Sequence, residues 1–149
     1  MDIITDIDKL RQNCETVPIN EIPNYNNIIE EMYQICMRSN GVGLAAPQIG
    51  INKRFFVMYW NGITFAVFNP IIFDSSILDA VNVDSELIKF NEGCLSVPGQ
   101  IRTTTRLKRI TVTYYNLHQD QVFDEFDLPL SVIFQHETDH LNGKLIIDF

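Results

Sequence analysis

The segment His136-Glu137-Thr138-Asp139-His140 restricts the fold of this chain more than any other feature. Its surroundings, Ile133, Phe134, Leu141, Leu145, Ile146 and Ile147, are apolar. On a helix, residues four apart stack on one face, so both imidazoles reach one point and Glu137 lies beside them. The apolar neighbours put most of that helix in a core. Two histidines and a glutamate in a core are costly unless they are paired or hold a metal. The plain alternative, two surface histidines on an amphipathic helix, suits this setting poorly. H-E-x-x-H is therefore read as two neutral nitrogen ligands for one ion, with a nearby carboxylate left free to handle a proton of water. The helix is expected from about Leu128 to Asn142. Asp127 would cap it, Pro129 is tolerated in its first turn, and Asn142-Gly143 would stop it.

Two histidines do not complete a catalytic site, which needs a third ligand and one open position. In the extended pattern H-E-x-x-H-x-x-G-x-x-H, Gly143 is in place but the last position is Ile146. Only residues 141–149 follow His140, with Asp148 their sole carboxylate, and His118 falls in an expected turn, His118-Gln119-Asp120-Gln121. The third ligand is thus sought upstream. Cys94, within Glu92-Gly93-Cys94-Leu95-Ser96-Val97-Pro98, is the leading choice. A thiolate is a good ligand for Zn or Fe(II), and Gly93 lets the backbone approach another group closely. An odd count of three widely spaced cysteines argues against a disulfide framework. Cys14 and Cys36 are read as small buried hydrophobes.

The rest of the chain reads as one domain, residues 1–149, with no repeat or linker. An amphipathic helix is expected from Asn24 to Asn40, with Tyr25, Ile28, Ile29, Met32, Ile35 and Cys36 at helical spacing. Gly41 to Gln48 reads as a loop of small residues. Strands are expected at Arg54–Tyr59 and Ile63–Phe68, joined by the hairpin signal Asn61-Gly62. Further strands are expected near Ile71–Phe73, Val81–Ile88, Ile101–Thr105, Ile110–Tyr115 and Val122–Phe126. The fold class is α+β, with antiparallel strands packed around a central C-terminal helix that carries the histidines.

Acidic residues number 19 against 11 basic ones, a net charge of −8, which argues against sequence-specific nucleic-acid binding. The cluster Arg102, Arg106, Lys108 and Arg109 is read as a solvated strand surface plus one structural arginine. No run of 18 apolar residues exists, so no membrane span is expected, and the start lacks the basic flank of a signal peptide. A cytoplasmic location is expected.

Three segments together resemble the signature motifs of the peptide deformylase family: Gly41-Val42-Gly43-Leu44-Ala45-Ala46-Pro47-Gln48, Glu92-Gly93-Cys94-Leu95-Ser96 and Gln135-His136-Glu137-Thr138-Asp139-His140-Leu141. The resemblance implies removal of the N-formyl group from nascent peptides that begin with formylmethionine, with formate released. It implies one divalent ion held by Cys94, His136 and His140. Fe(II) is the usual native ion of the family, and Zn, Ni or Co can occupy the site. Glu137 would be the general acid and base, and Gln48 with the backbone N–H of Leu95 would stabilise the oxyanion. Gly43, Glu92 and Gly93 would pair with the extended substrate. Asp139 would pair with Arg106 and brace the ligands from behind. Val42, Phe90, Val132 and Ile133 are candidates for the methionine pocket by their proximity to the motifs, and ordinary core packing would explain each of them as well.

The chain departs from the family pattern at Thr104-Thr105-Arg106, where many members have Val-x-Arg, near Ile101 and Arg102, and along Phe126–Ser131. With only nine residues after His140, the C-terminal helix by which bacterial members often dock on the ribosome is not expected. A minimal form is expected, such as those of phages or some organelles, which adds the organellar stroma or matrix as a location and leaves contact with the ribosome transient. Two other readings stay open: a metallopeptidase or amidohydrolase with the same ligands, and a binding protein that has lost activity.

Overall fold

The computed structural model describes residues 1–73 and 86–149. Three α-helices are described: α1 (Ile7–Leu10), α2 (Asn26–Arg38) and α3 (Leu130–Leu141). The strands are β1 (Gly43–Ala45), β2 (Phe55–Trp60), β3 (Ile63–Phe73), β4 (Leu87–Cys94), β5 (Val97–Leu107), β6 (Ile110–Tyr115) and β7 (Gln121–Phe126). Five of them form an antiparallel sheet in the order β1-β2-β3-β6-β7, and β4 and β5 form a separate two-stranded hairpin.

Asn61 and Gly62, both at positive φ, turn β2 into β3 with Trp60 opposite Ile63. That backbone suits the twist of two adjacent strands. Successive residues of β2 then face opposite sides of the sheet. Phe56 and Met58 pack with Phe134 and Leu141 of α3, while Phe55 and Val57 pack with Ile29, Met32 and Cys36 of α2. The sheet is thus covered on both faces, which is why Phe55 to Met58 are all buried. Phe134 is the hub of the α3 side, with ring centroids 5.1 Å from Phe56 and 5.6 Å from Phe126. α3 therefore lies inside the molecule with one face left for chemistry.

Several expectations need correction. Gly41–Gln48 is not simply a loop: Gly43–Ala45 pairs with β2, and Ala46–Ile49 forms a 3-10 turn. Leu44 and Ala45 enter opposite cores, which a local reading of small residues does not reveal. Asp127 does not cap α3 through its side chain. Its carboxylate is taken by Arg109 (Nε 2.8 Å, Nη2 3.2 Å), and only its backbone carbonyl accepts from the Ser131 N–H, at 2.9 Å. The two expected strands at Ile63–Phe68 and Ile71–Phe73 are one, with an irregularity between Phe68 and Ile71 where Asn69 adopts positive φ. The strand expected at Val81–Ile88 lies largely outside the described residues. Its described end opens β4, which runs on to Cys94. Ile101–Thr105 is the middle of the longer β5. Of the basic cluster, Arg106 alone is buried, at 4% exposure.

Candidate active site

α3 presents His136 and His140 one turn apart, and β4 ends on Cys94 just before the two-residue turn Leu95-Ser96. Their ligand atoms all lie within 4.8 Å of one another. His140 Nε2 is 3.3 Å from His136 Nε2 and 3.4 Å from Cys94 Sγ. With bonds of about 2.05 Å to nitrogen and about 2.3 Å to sulfur at tetrahedral angles, one ion would set its ligands roughly 3.3 Å apart for N and N and roughly 3.6 Å for N and S. The two pairs made by His140, with His136 and with Cys94, have that spacing. Burial works against a charge on His136, yet its hydrogen bonds with Cys94 and Glu92 outweigh that and raise it to about 10. Burial and the charge on His136 push His140 well below its ordinary value. His140 Nδ1 has no hydrogen-bond partner among the described residues.

A second layer stands behind His136. Its Nδ1 lies 2.7 Å from Glu92 Oε1. Glu92, 6% exposed, is gripped by Arg106 through Nε to Oε2 and Nη2 to Oε1, both 2.8 Å, and Thr104 Oγ1 also donates to Oε2. Burial alone would raise the Glu92 pKa. The hydrogen bonds from Arg106, His136 and Thr104 reverse this and hold it at about 2. Arg106 reaches on to Asp139, joining the carboxylate of the hairpin to that of the helix, and its guanidinium lies 4.8 Å from the centre of the Phe149 ring. Gln135, just before His136, exchanges two hydrogen bonds with the Leu107 backbone, 2.9 and 2.8 Å long. The hairpin is therefore docked on α3 at the level of the ligands.

In front of the ligands lies a cavity of about 660 Å³. Glu137, 2% exposed, has Oε1 4.0 Å from His136 Nε2, and burial pushes it up to about 7. A Cβ on Gly43 would sit 2.8 Å from Glu137 Oε2, so the carboxylate occupies the place of the missing side chain. Gln48 is held by its own oxygen, which accepts from the Ala45 N–H at 2.9 Å. That fixes its Nε2 to face Ser96 Oγ at 3.1 Å and Cys94 Sγ at 3.6 Å.

Val42, Gly43, Gln48, Phe90, Glu92, Gly93, Cys94, Leu95, Val132, Ile133, His136 and Glu137 all line this cavity. Val132 and Ile133 are buried in its wall, while Val42 and Phe90 are more than one third exposed. Arg106 and Asp139 do not line it; they stand behind the ligands. Glu92 lines the wall as well, with its carboxylate turned away from the cavity and bound to Arg106 and His136. Sequence reasoning missed Ser96, Thr104 and Gln135, and the wall formed by Pro98 to Ile101. The signal for Thr104 lay in strand alternation, which puts it on the same face as Arg106. His118 lies exposed in a turn, and Cys14 and Cys36 are buried, their thiols pushed by burial to about 11 and about 12.

Among known proteins, the profile of the polypeptide deformylase family matches residues 2–149. A peptide deformylase of Fusobacterium nucleatum is 39% identical over 143 residues, covering 95% of this chain and 78% of that protein. One from Thermotoga maritima is 43% identical over 125 residues, covering 84% and 71%. The crystal structure of the Thermotoga maritima peptide deformylase superposes with a TM-score of 0.86 at 40% identity, covering 98% of this chain and 94% of that one. A probable peptide deformylase from Synechococcus phage S-SSM7 gives a TM-score of 0.88 at 34% identity, covering 100% and 99%. The match spans Cys94, His136, His140, Glu137 and the fold that carries them, and so the chain belongs to the peptide deformylase family.

Proposed function

We infer that this protein hydrolyses the formyl amide at the N-terminus of peptides beginning with formylmethionine, releasing formate and a free amine. The observation that carries this reading is the convergence at one cavity of the Cys94, His136 and His140 triad, a buried glutamate outside it, and an amide N–H group at Gln48. A divalent ion held by the triad supplies Lewis acidity, making water a better nucleophile at neutral pH and drawing electron density from the formyl oxygen. The mixed sulfur and nitrogen donor set suits Fe(II), with Zn, Ni or Co as substitutes.

Glu137 takes the proton of the attacking water. Its raised pKa keeps it basic enough to do so, and once protonated it returns the proton to the amine nitrogen as the C–N bond breaks. Gln48 Nε2 and the Leu95 backbone N–H donate to the oxygen that becomes negative, each worth about 3 kcal/mol when well placed. Backbone groups of Gly43 and Gly93 align the extended peptide, and Val42, Phe90, Val132 and Ile133 receive the methionine side chain. Arg106 and Asp139 keep the ligand histidine and its carboxylate in place.

No described helix is long and apolar enough to cross a membrane. The partner is the nascent chain as it leaves the ribosome, in the cytoplasm of a bacterium or phage-infected cell or inside an organelle.

The test is formate release from a formyl-Met tripeptide by Fe(II)- or Ni(II)-loaded protein, with an unformylated peptide beside it. Release is expected, and its loss is expected on chelation and in E137A. Cleavage of the unformylated peptide with no formate from a folded, loaded sample would overturn the reading in favour of a metallopeptidase.

A further inference from the structure

The side-chain amide of Gln48 meets three groups. Its oxygen accepts from the Ala45 N–H at 2.9 Å, and its nitrogen lies 3.1 Å from Ser96 Oγ and 3.6 Å from Cys94 Sγ. The first contact settles which end is oxygen, because a backbone N–H cannot donate to an amide nitrogen. The nitrogen carries two hydrogens. One is accepted by the Ser96 hydroxyl oxygen, and the other points toward Cys94, on the side of the cavity. The bond from Ala45 alone would let the amide swing about it; the bond to Ser96 fixes its plane. Gln48 and Ser96 are each 1% exposed, so bulk water does not stand in for the hydroxyl. Gln48 lines the cavity and Ser96 does not, so Ser96 is not placed to touch a substrate. The contact also crosses the fold. Gln48 belongs to the 3-10 turn after β1, and Ser96 to the turn between β4 and β5. Those two turns carry the two donors proposed for the oxyanion, the Gln48 amide and the Leu95 N–H. Such donors act by being held in place before the charge develops.

We propose that Ser96 is a positioning residue for the reaction: its hydroxyl oxygen, by accepting from Gln48, fixes the plane of that amide and ties it to the turn that carries the Leu95 N–H. This rests on the reading of Gln48 as an oxyanion donor. Without the hydroxyl, one hydrogen of a buried amide has no acceptor. The group then turns about its bond to Ala45, and the hydrogen that serves the oxyanion leaves its line. The loss falls on the transition state, where the charge is. Binding of the uncharged formyl peptide is spared, since Ser96 makes no contact with it.

The experiment uses the full chain as wild type, S96A, Q48A and the double variant. kcat and KM for a formyl-Met tripeptide are measured with Ni(II)-loaded protein. The two side-chain amide protons of Gln48 are followed by NMR in the diamagnetic Zn(II) form. S96A is expected to lower kcat about tenfold with KM within about twofold, and to shift the Gln48 amide pair. In the Q48A background the same change is expected to cost less than about twofold, since no amide is left to misplace. An unchanged kcat in S96A, a loss confined to KM, or unmoved Gln48 resonances overturns the proposal. So does a loss in the Q48A background as large as in the wild type, which is what a general loosening of the hairpin would give. Should S96A fail to fold, S96G removes the same hydroxyl. Q48A at wild-type kcat overturns the donor reading, and absence of formate from the wild type overturns the deformylase reading; the proposal falls with either.

Discussion

At the scale of single residues, the site depends on carboxylates whose environments push them apart. Burial holds Glu137 high at about 7, while Glu92, also buried, is held by its donors at about 2. One is suited to exchange protons and the other to stay charged. The second has a consequence for stability. The ordinary value for Glu92 is 4.5, so as the pH falls the unfolded chain takes up this proton before the folded one does. The stability contributed by the folded arrangement is complete above about pH 4.5 and is lost as the pH falls toward 2. E92Q is expected to flatten that part of the profile and, by breaking a buried ion pair, to cost about 3 kcal/mol at neutral pH. Urea unfolding of both proteins across pH 2.5 to 7 measures this; parallel profiles would refute it. The identities of these residues were legible in sequence, their orientations less so. Cys94 followed from two histidines lacking a partner. The direction of the Glu92 carboxylate depends on Arg106 reaching it from the paired strand, and one-dimensional spacing carries no such information.

Between elements, the closest fit is that of β1 against α3. Gly43 lets the strand lie where the Glu137 carboxylate needs room. A methyl group there meets the movable end of a side chain at 2.8 Å, so the carboxylate gives way and the strand stays. G43A is therefore predicted to lower kcat about 100-fold while the melting temperature moves by only a few degrees. G143A is the contrasting case: its methyl would run into the Arg11 carbonyl oxygen, from a residue at φ +73°. Backbone cannot yield so readily, and the loss should appear in stability. Calorimetry beside steady-state kinetics separates the two; similar melting losses in both would contradict the assignment. Elements with strong local signals were readable beforehand, namely the Asn61-Gly62 hairpin and the helix bearing both histidines. β1 was not, because only its pairing with β2 makes it a strand. The cap at Asp127 was misjudged because Arg109, which approaches from the end of the β5–β6 turn, claims the carboxylate first.

Across the whole molecule, the three residues proposed as ligands come from two separate parts of the fold. Cys94 belongs to the β4–β5 hairpin and the histidines to the helix packed on the five-stranded sheet. An ion bound by all three would join them. Its removal is expected to lower stability by about 4 kcal/mol where the free ion stands near 1,000 times its Kd. The loss should be uneven, since α3 is locked into the core by Phe134 and Leu141 while the hairpin keeps only its side-chain ties. Hydrogen exchange of the chelated protein should therefore speed up in β4 and β5 and spare α3. Uniform acceleration would show that the two parts are not separable.

The wall of the cavity has one more consequence. Among the described residues its acidic side chains are Glu92 and Glu137, both buried, and none is a lysine or arginine. Besides the residues proposed to receive the first side chain, the described wall offers backbone, uncharged amides such as Asn40 and Gln100, and apolar side chains such as Leu95, Pro98 and Ile101. Such a surface reads the first word of a message and is nearly blind to the text that follows. That is the selectivity a catalyst needs if every newly made chain in a cell, whatever its sequence, must pass through one gate.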